Sequence, residues 1–293
     1  MAVLGRPNVG KSTLVNALLG QKIAAVSPKA QTTRARQLAI LTEEDTQIIF
    51  IDTPGMHNPI NKLGRAMNTI VEQTLQDADI ILWLVDASQP PQDEDRLLKT
   101  TLEGIADLPP VVLALNKMDA VKNDEVDMVD RSFQDLYQTP YHVRISARRG
   151  NGLPELLAVL KELLPEGNPF YPEDQVTDYY ERQIAADLIR EAALIFLQQE
   201  VPHAMAVRVD EYTERENGAA YIAATLFVEK NSQKGIVIGK GGSMLKKIGS
   251  MARTLIEEMS TRTVYLDLRV KVSENWRNNT VFLQRMGYQD VEE

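Results

Sequence analysis

A chain of 293 residues exceeds the usual size of one domain and suits two, each long enough to bury its own core. Its 44% apolar and 25% charged residues are those of an ordinary globular protein. The lack of cysteine excludes disulfides and thiolate metal centres, and three scattered histidines, His57, His142 and His203, lack zinc spacing. The net charge of −9 argues against indiscriminate nucleic-acid binding, and the longest aliphatic-aromatic run, Ile80 to Val85, is far too short to cross a bilayer; a reducing cytoplasm is the expected location.

In chain order, Ala2-Val3-Leu4 reads as a strand end and Thr13 to Leu19 as a helix stopped by Gly20. Between them, Gly5-Arg6-Pro7-Asn8-Val9-Gly10-Lys11-Ser12 fits the phosphate-loop pattern: the glycines let successive N–H groups surround phosphates, Lys11 supplies charge to the β/γ oxygens, and Ser12 offers a hydroxyl to magnesium. The following helix aims its free amides and positive dipole end at the same point. The runs Thr46 to Ile51, Ile80 to Val85, Val111 to Leu115 and Tyr141 to Ile145 are short, apolar and bounded by turn residues, as buried strands are. With amphipathic segments such as Asp93 to Ile105 and Gly152 to Leu163 between them, they predict an α/β domain: a mostly parallel sheet with helices on both faces and ligands at the carboxyl ends of the strands.

Further motifs close those strands. Asp52-Thr53-Pro54-Gly55 follows the first run, where the carboxylate can hold a magnesium-bound water and the glycine N–H can meet a γ-phosphate. Asn116-Lys117-Met118-Asp119 follows the third and Ser146-Ala147 the fourth. In such an NKxD motif the Asp accepts hydrogen bonds from the N1–H and 2-amino groups of guanine, and adenine, lacking both donors, leaves buried acceptors unpaired. The expected nucleotide is therefore GTP, with GDP as product. The set resembles the translation-factor-like class of small GTPases. That resemblance implies nucleotide contacts from Gly5 through Ser12 with Thr13, from Asp52 through Met56, from Asn116 through Asp119, and from Ser146 and Ala147. It also implies a magnesium site at Ser12, Thr33 and Asp52.

Within Gln31-Thr32-Thr33-Arg34, Thr33 is favoured over Thr32 as the switch threonine that joins the magnesium shell with GTP. Where Ras-like enzymes have a water-orienting glutamine, this chain has Met56, so slow intrinsic hydrolysis is expected. GTPases with Pro-Asn in this loop often bind potassium through the Asn, making Asn8 a candidate site for a K+ ion that assists catalysis alongside Lys11 and Thr33.

Three prolines and a glycine in residues 165–172 break the pattern. The expected division is a GTPase domain over 1–165, a linker over 166–179 and a second, α+β domain over 180–293. In the latter, a helix from Tyr180 to Gln199 carries Ile184, Leu188, Ala192, Ile195 and Phe196 on one face. It is followed by strands Ala204 to Tyr212 and Ala219 to Glu229, a helix Ser243 to Met259, and a strand Val264 to Val272. Residues 232–255 hold five basic side chains, Lys234, Lys240, Lys246, Lys247 and Arg253, and no acidic one. Gly239-Lys240-Gly241-Gly242 within this stretch resembles the Gly-x-x-Gly loop of a KH domain, where the glycines let a nucleic-acid backbone approach and the next helix adds charge. Ile236, Ile238, Leu245, Ile248, Ala252, Leu255 and Ile256 are read as core, and the element order suggests the type II arrangement.

Phosphate-loop GTPase, proline-bearing linker and KH-like end together resemble the Era family of bacterial ribosome-assembly GTPases over essentially the whole chain, including the closing Trp276-Arg277 segment. The resemblance implies binding of single-stranded RNA near the 3′ end of small-subunit ribosomal RNA and small-subunit maturation. It further implies a monomer with weak peripheral membrane association. The competing reading is an RNA-binding assembly chaperone in which GTP is mainly structural. Family members carry several residues before the phosphate loop where this chain has Met1 to Leu4, so either the start has been assigned late or the first strand is short.

Overall fold

The apolar runs between turn signals assemble into two separate sheets. The structure is a computed structural model that describes residues 1–27, 29 and 33–288. The candidate Thr32, with Gln31, lies outside the described residues. The chain divides into one unit of Met1–Lys22, Thr33–Pro59 and Met67–Asp178, and another of Ile23–Thr32, Ile60–Ala66 and Tyr179–Glu293.

In the first unit β1 (Ala2–Leu4) leads into α1 (Lys11–Leu19), and β2 (Gln37–Glu43) and β3 (Thr46–Asp52) form an antiparallel hairpin. There follow α2 (Lys62–Gln76), β4 (Ile81–Asp86), α3 (Asp93–Glu103), β5 (Val111–Asn116), α4 (Val126–Leu136), β6 (His142–Arg144) and α5 (Leu153–Leu163). The strands order as β2-β3-β1-β4-β5-β6, all parallel except β2. Every residue of β1, β4 and β5 is buried, because helices cover both faces of a parallel sheet. In the sheet β1 lies between β3 and β4, from which the strand order runs outward in opposite directions, so the loop after β1 opens at a topological switch point.

In this unit three elements go beyond the sequence reading: β2, α2 and α4. Helix α2 buries Leu63, Ala66, Met67, Val71 and Leu75, a helical spacing diluted by intervening polar residues. Strand β2 owes its place to its hairpin partner. Its other edge is covered by residues 176–178: Ile40 N–H donates to the Val176 carbonyl at 2.9 Å, Leu38 N–H to Asp178 Oδ1 at 3.2 Å, and the Thr177 hydroxyl to the Leu38 carbonyl at 2.6 Å; upstream, Phe170 N–H donates to the Gln47 side chain of β3 at 2.8 Å. The segment expected as a linker thus runs extended along an edge that would otherwise present unpaired backbone groups.

The second unit contains α6 (Glu181–Phe196), β7 (Ala206–Glu214), β8 (Ala220–Val228), α7 (Asn231–Ile238), α8 (Ser243–Ser260), β9 (Val264–Val272) and α9 (Thr280–Arg285). Strand β8 is central, antiparallel to β7 and parallel to β9, which gives the strand-strand-helix-helix-strand order of the type II arrangement. Ile184, Leu188 and Ala192 of α6 and Ile248, Ala252 and Ile256 of α8 pack on the inward residues of the sheet, among them Ile222, Ala224 and Leu226. Trp276 is fully buried and its indole N–H donates to the Ala204 carbonyl at 2.9 Å. Ile236, read as core, is 49% exposed, and Ile195, read on the apolar face of its helix, is 39% exposed. Each lies about 100° around its helix from a neighbour that is buried, Val237 and Leu194 respectively. Among the described residues no helix is long and apolar enough to cross a membrane.

Candidate functional site

The nucleotide motifs converge because each ends a strand of the same parallel sheet. Gly10, at φ 105°, precedes α1 so closely to Asn116 that a Cβ there would lie 2.4 Å from Asn116 Nδ2; no side chain fits. Lys11 opens α1 and its ammonium folds back on the loop, donating to the carbonyls of Gly5 at 2.9 Å and Arg6 at 3.2 Å. Burial lowers its pKa to about 8 against the opposing pull of Asp52. Asn8 is exposed at the tip in a left-handed conformation, φ 66°, one that Asn tolerates.

Ser12, Thr33 and Asp52, three separate expectations in the sequence, meet at one point. Ser12 Oγ donates to Asp52 Oδ2 at 2.9 Å, Thr33 Oγ1 donates to the same oxygen at 3.1 Å, and the two hydroxyls lie 3.0 Å apart. Asp52 Oδ1 is buried without a hydrogen-bond partner. Desolvation raises the Asp52 pKa, opposed by Lys11 and by the two hydroxyls. Hard oxygen donors with an orphaned carboxylate oxygen fit Mg2+. No group of three or more His, Asp or Glu side chains that could hold a metal occurs elsewhere among the described residues.

The third strand-end motif joins base and phosphate elements. Asn116 Nδ2 donates to the Val9 carbonyl at 2.7 Å while its Oδ1 accepts from Ala147 N–H at 2.9 Å. Asp119 Oδ1 accepts from the Ser146 hydroxyl at 2.7 Å, and that bond holds its carboxyl below the usual range. Lys117, with φ 65°, donates to Asp86 Oδ2 at 2.6 Å. Thr53 turns its hydroxyl to the Val3 carbonyl at 2.8 Å, pinning the Asp52 turn to β1. Met56 corrects its expected place beside the nucleotide. Its side chain is 3% exposed, packs in the core with Val71 and Leu98, and its sulfur accepts from the Thr101 hydroxyl at 3.6 Å. A thioether gains more from apolar contacts than from a polar phosphate site. The residues that sequence reasoning missed are Asp86, Ser88 and Asp95. Asp86 pairs with Lys117 and Arg6, Asp95 with Arg6, and Ser88 donates to Asp86, yet none belongs to a motif; the only signal was an aspartate at the end of the Ile80 to Val85 run.

In the second unit Gly239 to Gly242 form a tight turn between α7 and α8. Gly239, at φ 73°, leaves a Cβ only 2.7 Å from Met244 Cβ, so the loop demands glycine there. Lys240, Lys246, Lys247 and Arg253 are exposed around this turn and along α8, and Lys234 is half-buried on α7. Lys246 and Arg253, seven apart on α8, share one face, where Arg253 also lies 4.0 Å from Glu257. Ile236 on α7 is exposed and belongs to the surface, not to the core as its sequence had suggested.

Residues 1–117 match the family described as 50S ribosome-binding GTPase and residues 200–277 the family described as KH domain. The chain is 47% identical over its whole length to GTPase Era of Carboxydothermus hydrogenoformans, covering 98% of that protein. It is 45% identical over 98% of its length to GTPase Era of Lacticaseibacillus paracasei, covering 95%. Its fold superposes with a TM-score of 0.92, at 37% identity, on a crystal structure of Era in complex with MgGDPNP and nucleotides 1506–1542 of 16S ribosomal RNA; 98% of this chain and 97% of that one are covered. The same score, identity and coverage hold for a variant of Aquifex aeolicus Era bound to GDP·AlF4−. With the phosphate loop, the guanine motif and the Gly-x-x-Gly turn all formed, and with such identity along its full length, the chain belongs to the Era family of GTPases.

Proposed function

We propose that this GTPase is a slow, magnesium-dependent switch whose nucleotide state governs engagement of single-stranded ribosomal RNA during small-subunit assembly. The observation that carries the reading is the meeting of Ser12, Thr33 and Asp52 at one point beside Lys11: a switch threonine is brought to the residues that sense the γ-phosphate. When bound there, Mg2+ would neutralise charge on the β and γ oxygens. The chain's own residues do the rest. Lys11 exchanges the carbonyls of Gly5 and Arg6 for phosphate oxygens, the amides opening α1 cradle them, and Asp119 selects guanine through its N1–H and 2-amino donors. With the Met56 side chain turned into the core, the glutamine role is unfilled; Asn8 is the residue that would hold a K+ ion, which would supply charge at the leaving group.

RNA is read by Gly239 to Gly242, whose scarcity of side chains admits the phosphodiester backbone, with Lys234, Lys240, Lys246, Lys247 and Arg253 neutralising it. The related crystal structure of Era with a 16S ribosomal RNA segment supports this partner. In this reading residues 1–165 form the switch, 166–179 the connection and 180–293 the reader. Family membership, rather than any surface feature, supports action as a monomer on the small subunit in the cytoplasm, with weak peripheral membrane contact. The test is RNA affinity of wild type and Lys11→Ala with GTP analogue and with GDP. A nucleotide-dependent affinity lost in Lys11→Ala is expected. Equal affinities in every state would favour an assembly chaperone in which GTP is mainly structural.

A further inference from the structure

Asp86, at the carboxyl end of β4, belongs to none of the nucleotide motifs, yet one of its oxygens holds two of them. Oδ2 accepts from Lys117 Nζ of the base motif at 2.6 Å and lies 3.5 Å from Nη2 of Arg6 in the phosphate loop. The other oxygen, Oδ1, accepts from the backbone N–H and hydroxyl of Ser88 at 3.1 and 2.5 Å, which locks the carboxylate in orientation. The Asp86 side chain is 3% exposed, so the attraction is weakly screened. Burial alone would push its carboxyl up; the bonds from Lys117 and Ser88 outweigh that and hold it ionised.

Arg6 is gripped from its other side as well. Its Nε lies 3.3 Å from Oδ2 of Asp95, a fully buried carboxylate at the start of α3 that also accepts from Gln92 N–H at 2.9 Å. Arg6 thus cannot swing away to solvent without stranding a buried acid. Lys117, 37% exposed and left-handed in its backbone at φ 65°, is the more exposed of the two cations, and its ammonium is held on Asp86 Oδ2.

We infer that Asp86 is a positioning residue for guanine-nucleotide binding, holding the Lys117 ammonium and the Arg6 guanidinium on one oxygen so that the base loop and the phosphate loop close as a unit. The inference deepens the nucleotide site proposed above and rests on it. A carboxylate that merely stabilised the fold would leave the two loops energetically independent; one that positions both makes a change at either loop felt at the other.

The experiment is a double-mutant cycle on the full-length protein, using fluorescent GDP. Affinities are measured for wild type, Arg6→Gln, Lys117→Met and the double variant, then for the same set carrying Asp86→Asn. The combined loss in the native background should fall short of the product of the single losses by at least about threefold, and should become multiplicative with Asp86→Asn. Independent losses in the native background overturn the inference, as does a coupling that survives Asp86→Asn. Should Asp86→Asn not fold, the first cycle decides alone. Failure of wild type to bind GDP would overturn the nucleotide site itself, a result distinct from wild-type binding with independent losses.

Discussion

Asn116 and Val9, 107 residues apart in sequence, share a 2.7 Å hydrogen bond that ties the base motif to the phosphate loop. With the second bond from Ala147 N–H to Asn116 Oδ1, one side chain braces three nucleotide-binding segments. Asn116→Ala leaves a buried carbonyl and a buried N–H unsatisfied, a cost of about 2–4 kcal/mol in total. GDP affinity should fall on the order of 100-fold, read by titration with a fluorescent nucleotide.

Base choice should follow the chemistry of position 119. Asp119→Asn replaces an acceptor by a group that also donates, mismatching the 2-amino group of guanine and matching the 2-carbonyl of xanthine. Competition assays are expected to show GDP weakened by about 100-fold or more and XDP correspondingly favoured. Unchanged GDP affinity would place the base elsewhere.

The potassium proposal makes a separate demand on Asn8. Hydrolysis measured at equal ionic strength should be faster in KCl than in NaCl by about tenfold or more, and Asn8→Ala should remove the difference while nucleotide still binds. Equal rates in both salts, with no effect of the substitution, would exclude a cation held at this loop.

With RNA on the Gly-x-x-Gly face, as proposed, the charge of that face should set the salt dependence of binding. Replacing Lys240, Lys246 and Lys247 together by Gln removes up to three phosphate contacts. The slope of log K against log salt on a single strand should then flatten by about 2. A slope that does not change would move the RNA to another surface.

Lys11 should make the nucleotide-free protein more stable at alkaline pH. Its folded pKa of about 8 lies below the unfolded value of 10.5. Between these values the unfolded chain binds the extra proton, so stability rises with pH across that window, and the desolvation cost of about 3 kcal/mol present at pH 7 is progressively relieved. Denaturant unfolding at about pH 7.5, 8.5 and 9.5 should show this rise in wild type and a flatter profile in Lys11→Met. Parallel profiles would contradict it.

The phosphate loop, the guanine motif and the Gly-x-x-Gly turn were legible because each depends on residues close in sequence: glycines that admit a backbone, a helix start, a side chain at a strand end. Helix α2 was harder to read, since Leu63, Ala66, Met67, Val71 and Leu75 are interleaved with polar residues, and β2 is a strand by virtue of pairing with β3. Ile236 was misread because an eight-residue helix can bury only one narrow face, and no local rule says which.

Motif chemistry, written in neighbouring residues, therefore specified guanine nucleotide and an RNA-type loop by itself. Which groups share a site was a matter for the tertiary structure alone. Parallel strands β1, β3, β4 and β5 end at one edge of one sheet, and that edge brings Ser12, Thr33 and Asp52 to a single point. It sets Asp86 between Arg6 and Lys117, and sends Met56 into the core. Such partners are chosen by strand order and burial, long-range properties that no window of sequence contains.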